Sequence, residues 1–227
     1  MDGGNIASTL DLGVVPLSWT FAGTVGYNNS YVNYEGRVGA ILWRNSNGDL
    51  VLWSISYGQR SGTTDLGVVP TSWTVAGTGD FNGDGVADIL WRNSNGDVVI
   101  WFMNGGNGNG GNGIASTADL GVIPSSWSIQ GIGDFAGTGY SDILWRNSDG
   151  DLNIWFMNGG TITSSSDLGV IPTSWTPQVT RDFNGDGKAD ILWHNSSNGD
   201  AVIWFMNGAT ITSTHDFGLL PGRAAIQ

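Results

Sequence analysis

The chain has 227 residues, of which 40% are hydrophobic and only 12% are charged, a composition that supports a buried core and excludes intrinsic disorder. A formal net charge of −12 argues against binding to nucleic acid or to an anionic membrane, because both partners require a basic surface. The sequence has no cysteine and no apolar run long enough to cross a bilayer, so disulfides, thiol chemistry and a membrane span are excluded.

A repeated motif organises the chain. Asp-Leu-Gly recurs every 48 to 54 residues and is followed by one Asp-Phe-Gly; the five motifs begin at Asp11, Asp65, Asp119, Asp167 and Asp216. Intervals of about 40–50 residues are typical of the blades of a β-propeller. Within each repeat the hydrophobic residues follow a period of two and turn residues recur at short intervals, which predicts short antiparallel strands rather than helices.

The second repeat shows the strand pattern most clearly. It predicts four strands, at residues 73–79, 89–93, 98–103 and 114–122. The pair Asn95-Gly96 is preferred in two-residue type I′ hairpins, so Ser94 is expected to pair with Asp97. That register places Ile89 and Ile100 on one face of the sheet, and Leu90 and Trp101 on the other.

Both faces of the predicted sheet are apolar and must therefore be covered. Radial stacking of similar sheets around an axis covers both faces of each sheet and leaves only short edges exposed. We therefore predict a single all-β repeat domain, residues 1–227, which is a β-propeller of four-stranded antiparallel blades with four blades in this chain. The predicted blades are 17–69, 71–123, 125–171 and 173–221.

A fifth segment of the outer-strand type, residues 6–16, is surplus to four blades. A closed ring of four blades needs no such strand. The sequence leaves three arrangements open: a piece of a longer ring, a half that dimerises toward eight blades, and a small ring whose spare strand docks elsewhere. We favour the first two.

The twelve tryptophans fall three to a repeat. Large aromatic residues at equivalent positions of two buried faces indicate packing between blades, which we predict for the tryptophans of the second and third strands. The remaining set is expected at a loop end, where we favour packing and where partial exposure, with stacking on a sugar, is the alternative. It comprises Trp19, Trp73, Trp127 and Trp175.

Two acidic loops carry the strongest chemical signal. Oxygen ligands stand at positions 1, 3, 5 and 9, a backbone carbonyl is available at 7, and glycine stands at 6, as in loops that wrap a hard cation such as Ca²⁺. The predicted ligands are Asp80, Asn82, Asp84, the carbonyl of Val86 and Asp88 in the second repeat, and Asp182, Asn184, Asp186, the carbonyl of Lys188 and Asp190 in the fourth. The predicted flanks are strands and position 12 is tryptophan, so these loops are not EF-hands.

The other two repeats depart from this ligand set. The third keeps Asp134 and Asp142 but has Ala136 and Thr138 at positions 3 and 5, so its site is expected to be weak or absent. The first has a longer insertion, and Ala40 stands where the last aspartate is expected. Two calcium ions are therefore predicted, with a third site degenerate.

The motif Gly-Asp-Phe-Asn-Gly-Asp-Gly-x-Ala-Asp-Ile-Leu-Trp, at residues 79–91 and nearly repeated at 181–193, resembles the FG-GAP or VCBS repeat family. The resemblance covers nearly the whole chain. Members of the family are similar to the propellers of integrin α subunits and of certain lectins. The resemblance implies calcium in the loop between the first two strands of a blade, an extracellular or cell-surface setting, and a role in adhesion or carbohydrate binding.

A second recurring motif, Trp-Arg-Asn at the end of the second strand, offers donors and acceptors beside an aromatic edge. Such groups suit a small polyhydroxylated ligand, and the alternative is that the arginines bond backbone carbonyls. The candidate ligand-binding residues are Arg44, Arg92, Asn93, Arg146, Asn147 and His194.

The sequence therefore predicts a calcium-stabilised binding module that binds a glycan, with a structural or adhesive scaffold for protein contacts or self-assembly as the alternative. No pattern of nucleophile and base supports an enzyme. No signal-peptide pattern is present near the amino terminus, so an export signal is expected to have been removed or to lie outside this sequence. We expect a secreted or cell-surface protein of bacterial origin, as a homo-oligomer or as part of a larger propeller.

Overall fold

A computed structural model describes residues 11–26, 37–104 and 113–219 of the chain. The described residues form sixteen strands and no helix. Blade 1 contains β1 (Trp19–Val25), β2 (Arg37–Asn45), β3 (Asp49–Ser56) and β4 (Gln59–Val68). Blade 2 contains β5 (Trp73–Gly79), β6 (Asp88–Asn93), β7 (Asp97–Asn104) and β8 (Gly113–Val122). Blade 3 contains β9 (Trp127–Gly133), β10 (Asp142–Asn147), β11 (Asp151–Asn158) and β12 (Thr161–Val170), and blade 4 contains β13 (Trp175–Arg181), β14 (Asp190–Asn195), β15 (Asp200–Asn207) and β16 (Thr210–Leu219).

Each blade is a four-stranded antiparallel sheet whose strands follow one another in chain order. The first strands of consecutive blades lie side by side, with β1 against β5, β5 against β9 and β9 against β13. The fold is therefore a four-bladed β-propeller, as the repeat period and the alternating pattern predicted. The four strands predicted for the second repeat are confirmed, and every predicted end lies within one residue of the observed end.

The predicted register of the second and third strands of blade 2 is wrong by one residue. Leu90 pairs with Ile100, and Ile89 pairs with Trp101. Trp91 therefore shares a face with Trp101, and their ring centroids lie 5.0 Å apart. A slip of one residue moves each side chain of a strand to the opposite face, and both faces remain apolar here.

The hairpin loop explains this difference. β6 ends at Asn93 and β7 begins at Asp97, so three residues connect the strands rather than two. The Gly96 N–H donates to the Asn93 carbonyl over 2.9 Å, and Gly96 has a φ of +100°, as in a turn followed by a left-handed glycine. A Cβ at Gly96 would lie 2.4 Å from the carbonyl oxygen of Ile123, so contact with the segment after β8 requires glycine at this place.

Three buried clusters join consecutive blades. We call the face of a blade that points toward the following blade its trailing face, and the face toward the preceding blade its leading face. In each cluster, the trailing face of one blade packs on the leading face of the next. Leu42 packs with Trp91 in the first cluster, Leu90 with Trp145 in the second, and Leu144 with Trp193 in the third. These three tryptophans are each 1% exposed. The predicted packing between blades is thus confirmed for three of the second-strand tryptophans, whereas Trp43 of blade 1 is half-buried.

The predicted surplus strand lies partly outside the described residues. Residues 6–10 are not described, and residues 11–16 form no strand. The Gly13 N–H donates to the Asp11 carboxylate over 2.8 Å, and the other Asp-Leu-Gly motifs make the same bond. Within the described ranges, no helix is long and apolar enough to span a membrane.

Candidate functional site

The two acidic loops connect the first and second strands of blades 2 and 4. The Asp80 carboxylate accepts the N–H groups of Gly83, Asp84 and Gly85 over 2.7 to 3.2 Å. The Asn82 side chain accepts the Asp84 N–H over 3.0 Å, and the Asp84 carboxylate accepts the Val86 N–H over 2.8 Å. The side chains at positions 1, 3 and 5 are therefore turned inward by bonds to the backbone of their own loop.

The loop of blade 4 has the same arrangement but is more exposed. Asp182 accepts the N–H groups of Gly185 and Gly187, over 2.6 and 2.9 Å, and Asp186 accepts that of Lys188 over 2.9 Å. The Gly187 bond lowers the pKa of Asp182 below its usual value. Burial against blade 3 instead raises the pKa of Asp80, so equivalent carboxylates differ because one loop has a following blade in this chain and the other has none.

The aspartate at position 9 has a different role from the other loop side chains. Asp88 is fully buried; one of its carboxylate oxygens accepts the Phe81 N–H and the other accepts the Met103 N–H, each over 2.9 Å. Asp142 and Asp190 make the equivalent pairs of bonds. Burial raises the pKa of Asp88 to about 6 and that of Asp142 to about 6, against the opposing effect of these N–H donors. The three carboxylates tie each loop to the third strand of its blade.

The third loop shows which side chains of the acidic loops the fold requires and which only cation binding would require. Its Asp134 accepts the N–H groups of Thr138 and Gly139 over 2.9 and 2.6 Å, so the backbone is wrapped as in the other loops. Ala136 and Thr138 occupy positions 3 and 5. The Thr138 hydroxyl accepts the Tyr140 N–H over 3.4 Å, as Asp84 accepts that of Val86. The fold therefore requires no side-chain oxygen at position 3 and no carboxylate at position 5.

The side chains of the acidic loops can be compared with the ligands that a hard cation requires. Among the described residues, no cluster of three or more histidine, cysteine, aspartate or glutamate side chains stands in position to hold a metal ion. Asp80 Oδ1 accepts two N–H groups, whereas Asp80 Oδ2 and both oxygens of Asp88 accept one each and retain a second lone pair. The negative charge of Asp84 also raises the pKa of both Asp80 and Asp88. The donor chemistry thus fits a hard cation, in a loop whose carboxylates repel one another without one.

The three arginines of the Trp-Arg-Asn motif lie between blades. The Arg146 Nη2 atom donates to the carbonyls of Ile171 and Pro172 over 2.6 and 2.9 Å, and Nη1 donates to that of Trp175. Arg44 bonds the equivalent three carbonyls, and Arg92 bonds two of them. Each guanidinium also lies 5.1 to 5.9 Å from the ring centroid of the buried tryptophan in the next blade.

The asparagines and His194 of the same motif are placed differently. Asn93 and Asn147 accept hydrogen bonds from residues of the adjoining hairpin turns, so they stabilise these turns. His194 is half-buried and stands where the other blades have arginine; the residues that follow Leu219 lie outside the described part of the chain. The sequence left open that these arginines bond backbone carbonyls rather than a ligand, and the structure shows such bonds. The motif alone does not reveal which carbonyls are the acceptors.

Arg92 and Asn93 nevertheless line one groove between blades 2 and 3. The groove has a volume of about 360 Å³, and Trp127 and Ser128 lie on its other side. Trp127 is half-buried, so its indole presents part of its surface to the groove. Thr74, Ser94 and Ser125 contribute hydroxyl groups to the lining. The structure thus brings together two predicted ligand-binding residues and adds a tryptophan from the set for which partial exposure was the alternative to packing.

The comparison with protein families identifies this repeat. Residues 72–116, which span blade 2 from the start of β5 into β8, match the family described as FG-GAP repeat. Blade 2 is therefore an FG-GAP repeat. All four sheets have the same strand order, so the other three blades share the architecture of this repeat.

Comparison with solved structures gives a distant similarity. A crystal structure of a triple arginine-to-alanine mutant of AofleA from Arthrobotrys oligospora matches at 9% sequence identity with a TM-score of 0.48. The match covers 88% of this chain and 57% of that chain, so the chain spans little more than half the length of AofleA. No curated protein matches the chain.

Proposed function

We propose that this FG-GAP propeller is a non-catalytic binding module that takes a small polyhydroxylated ligand, a glycan, in the groove between blades 2 and 3. The observation that carries the proposal is the composition of that groove, where the half-buried indole of Trp127 lies opposite the amide of Asn93. An aromatic surface with a few polar groups beside it is the usual form of a small-molecule site. The hydroxyl groups of Thr74 and Ser128 add acceptors and donors for sugar hydroxyls.

The groove variant Trp127→Ala is expected to reduce glycan affinity at least about tenfold, because a stacking surface worth more than 1.4 kcal/mol is removed. Trp73→Ala is the matched control, since Trp73 begins β5 as Trp127 begins β9 but lies outside this groove. Binding is measured on a glycan array in millimolar calcium and then by titration calorimetry, with circular dichroism to show that both variants fold. Equal losses in both variants would contradict a site in this groove, and silence of the wild type would contradict glycan binding itself.

We further propose that calcium binds the loops of blades 2 and 4. Asp80, Asn82, Asp84, the Val86 carbonyl and Asp88 would hold the first ion, and the equivalent residues at 182–190 the second. The supporting observation is that the third loop wraps in the same way without an amide at position 3 or a carboxylate at position 5. The first ion would offset the burial of Asp80 and Asp88 and the nearby charge of Asp84, which together raise the pKa of both groups. Each ion would therefore contribute to the stability of the blade whose loop binds it.

Chelation of calcium is expected to lower the melting temperature. With a dissociation constant of ~10⁻⁴–10⁻³ M, as in extracellular modules, one site at about 2 mM calcium contributes about 0.6–1.8 kcal/mol. Asp84→Ala should abolish the contribution of one site, whereas Thr138→Ala, at the same position of the third loop, should leave the calcium dependence unchanged. Calorimetric melting with and without chelator measures both. An identical melting temperature in calcium and chelator would sink this proposal without affecting the glycan groove.

One observation favours a second function, a scaffold that binds protein. The guanidinium groups of Arg44, Arg92 and Arg146 are engaged in hydrogen bonds between blades, which suits a structural role better than ligand recognition. A wild type that melts cooperatively and depends on calcium but binds no glycan would favour the scaffold.

A further inference from the structure

A small cavity lies between the leading face of blade 4 and the segment that links blade 3 to blade 4. Its volume is about 220 Å³, and a cavity of about 150 Å³ is large enough for one benzene molecule. The linker contributes two lining residues and the first three strands of blade 4 contribute the others, in the order Ile171, Pro172, Trp175, Trp193, Val202 and Trp204. None of them lines the groove between blades 2 and 3, so this cavity is a separate place for a small molecule.

The walls of the cavity are apolar and mainly aromatic. The ring centroids of Trp193 and Trp204 lie 4.9 Å apart, and their planes are tilted by 49°. Val202 pairs directly with Trp193 across the two strands, so its methyl groups lie on the same face as these rings. The polar side-chain atoms of the six lining residues are three indole N–H groups, and all three are donors. These walls suit a ligand with an apolar body and hydrogen-bond acceptors, rather than the many hydroxyl donors of a sugar.

One of these indole donors is buried without a partner. Trp193 is 1% exposed, and its Nε1 atom has no hydrogen-bond partner among the described residues. The equivalent tryptophans of the other three blades share this feature, so the unpartnered N–H group belongs to the repeat. A buried donor without an acceptor is unfavourable. At Trp193 the adjoining cavity has room for a ligand that supplies the acceptor.

Arg146 of blade 3 places a positive charge against the wall of the cavity. Its guanidinium carbon lies 5.9 Å from the ring centroid of Trp193. Its Nη1 and Nη2 atoms donate to three carbonyls, those of Ile171, Pro172 and Trp175. The guanidinium therefore lies beside four of the six lining residues.

The charge of Arg146 has no counter-ion in the described part of the chain, where its hydrogen bonds all go to carbonyls. Arg146 is 6% exposed, whereas Arg44 and Arg92 are half-buried. Its Nε atom is buried and has no partner among the described residues. Burial lowers the pKa of Arg146, because a charge removed from water is unfavourable unless an opposite charge or further hydrogen bonds compensate for the loss. A carboxylate at Nε would supply both.

We propose that this cavity binds a small carboxylate with an apolar ring, of about the size of benzoate. The ring would pack against the indoles of Trp175, Trp193 and Trp204. The carboxylate oxygens would accept the two unpartnered N–H groups, those of Trp193 Nε1 and Arg146 Nε, in charge-assisted hydrogen bonds to the guanidinium. The site shares no lining residue with the proposed glycan groove, so either site can exist without the other.

The test is titration of the whole chain with sodium benzoate at neutral pH, followed by ligand-observed NMR and calorimetry. Acetate is the probe with the charge but no ring, and benzyl alcohol is the probe with the ring but no charge. We expect benzoate to bind at one site with a Kd of about 1 mM or lower, and each of the other two probes to bind at least about tenfold more weakly. No binding of benzoate up to about 10 mM, or equal affinity for acetate or benzyl alcohol, would overturn the proposal.

Two variants of the chain locate the site, with circular dichroism to show that they fold. Val202→Phe fills the cavity and should weaken benzoate binding at least about tenfold. Arg146→Gln removes the charge and should reduce the affinity for benzoate to that for benzyl alcohol, whose own binding should not change. Arg44→Gln is the matched control, because Arg44 bonds the equivalent three carbonyls between blades 1 and 2; its benzoate affinity should equal that of the wild type. Unchanged affinity in Val202→Phe or in Arg146→Gln, or equal losses in Arg146→Gln and Arg44→Gln, would also overturn the proposal.

Discussion

Replacement of Phe135 by alanine is expected to lower the free energy of unfolding by about 3–5 kcal/mol, the usual cost of removing a fully buried phenylalanine. Phe135 is 0% exposed and packs on the trailing face of blade 3 in the cluster that joins it to blade 4. Its carbonyl also accepts the Gly208 N–H over 2.8 Å. The cavity would therefore open between two blades, where the backbone on both sides is held by other bonds and cannot collapse to fill it.

Phe183→Ala is the matched control, because Phe183 holds the same place in the loop of blade 4 and is 40% exposed. Its replacement should cost no more than about half as much, since only part of the side chain is removed from contact. Both variants are measured by urea denaturation in chelator, at protein concentrations where the chain is monomeric. Equal losses would show that blade 3 does not depend on its neighbour for stability.

Replacement of Asp142 by alanine is expected to cost about 2–5 kcal/mol, because two buried N–H groups each lose an acceptor at about 1–3 kcal/mol. The carboxylate accepts the N–H groups of Phe135 and Met157 over 3.0 and 2.9 Å and is 1% exposed. Asp134→Ala is the control in the same loop. Asp134 also accepts two N–H groups, but they belong to exposed residues that water can reach, so its loss should cost about 1 kcal/mol or less.

The pH dependence of stability follows from the same carboxylate. Burial raises the pKa of Asp142 to about 6 in the folded protein, from a usual value of 3.8, so the folded state binds more protons between these values. The contribution of this group to the free energy of unfolding therefore falls as pH rises from about 4 to 6 and is constant above. Asp142→Asn should flatten that part of the profile, measured by denaturation in chelator from pH 4 to 7. An unchanged slope would show that Asp142 does not titrate in this range.

The positions of the strands followed from the sequence because they depend on local patterns. Alternating apolar residues predicted β5 to β8 with every end within one residue of the observed one. The Asp-Leu-Gly repeat predicted the number of blades. The hairpin register did not follow, although Asn95-Gly96 was correctly placed in the turn. The loop has three residues, with Gly96 left-handed and in contact with the carbonyl of Ile123. The pair Asn95-Gly96 fits both a two-residue and a three-residue loop, and the contact with Ile123 lies far away along the chain.

The candidate site shows the same division. The ligand set of the acidic loops can be read from the spacing of their side chains, and it remains a prediction for calcium. The buried role of Asp88 could have been recognised from the third repeat, where Asp142 persists although Ala136 and Thr138 have replaced the ligands. The bonds of the arginines could not have been recognised, since their acceptors lie 25 to 32 residues away in the chain.

The sequence by itself determined the all-β class, the repeat, the four blades and the residues of the acidic loops, because each depends on side chains that are near one another along the chain. The tertiary structure alone decided which residues become buried between blades. Phe135 and Phe183 stand at the same place in equivalent loops, yet one is fully buried and the other is 40% exposed. The difference arises because burial depends on the neighbouring blade, and only blade 3 has a following blade in this chain.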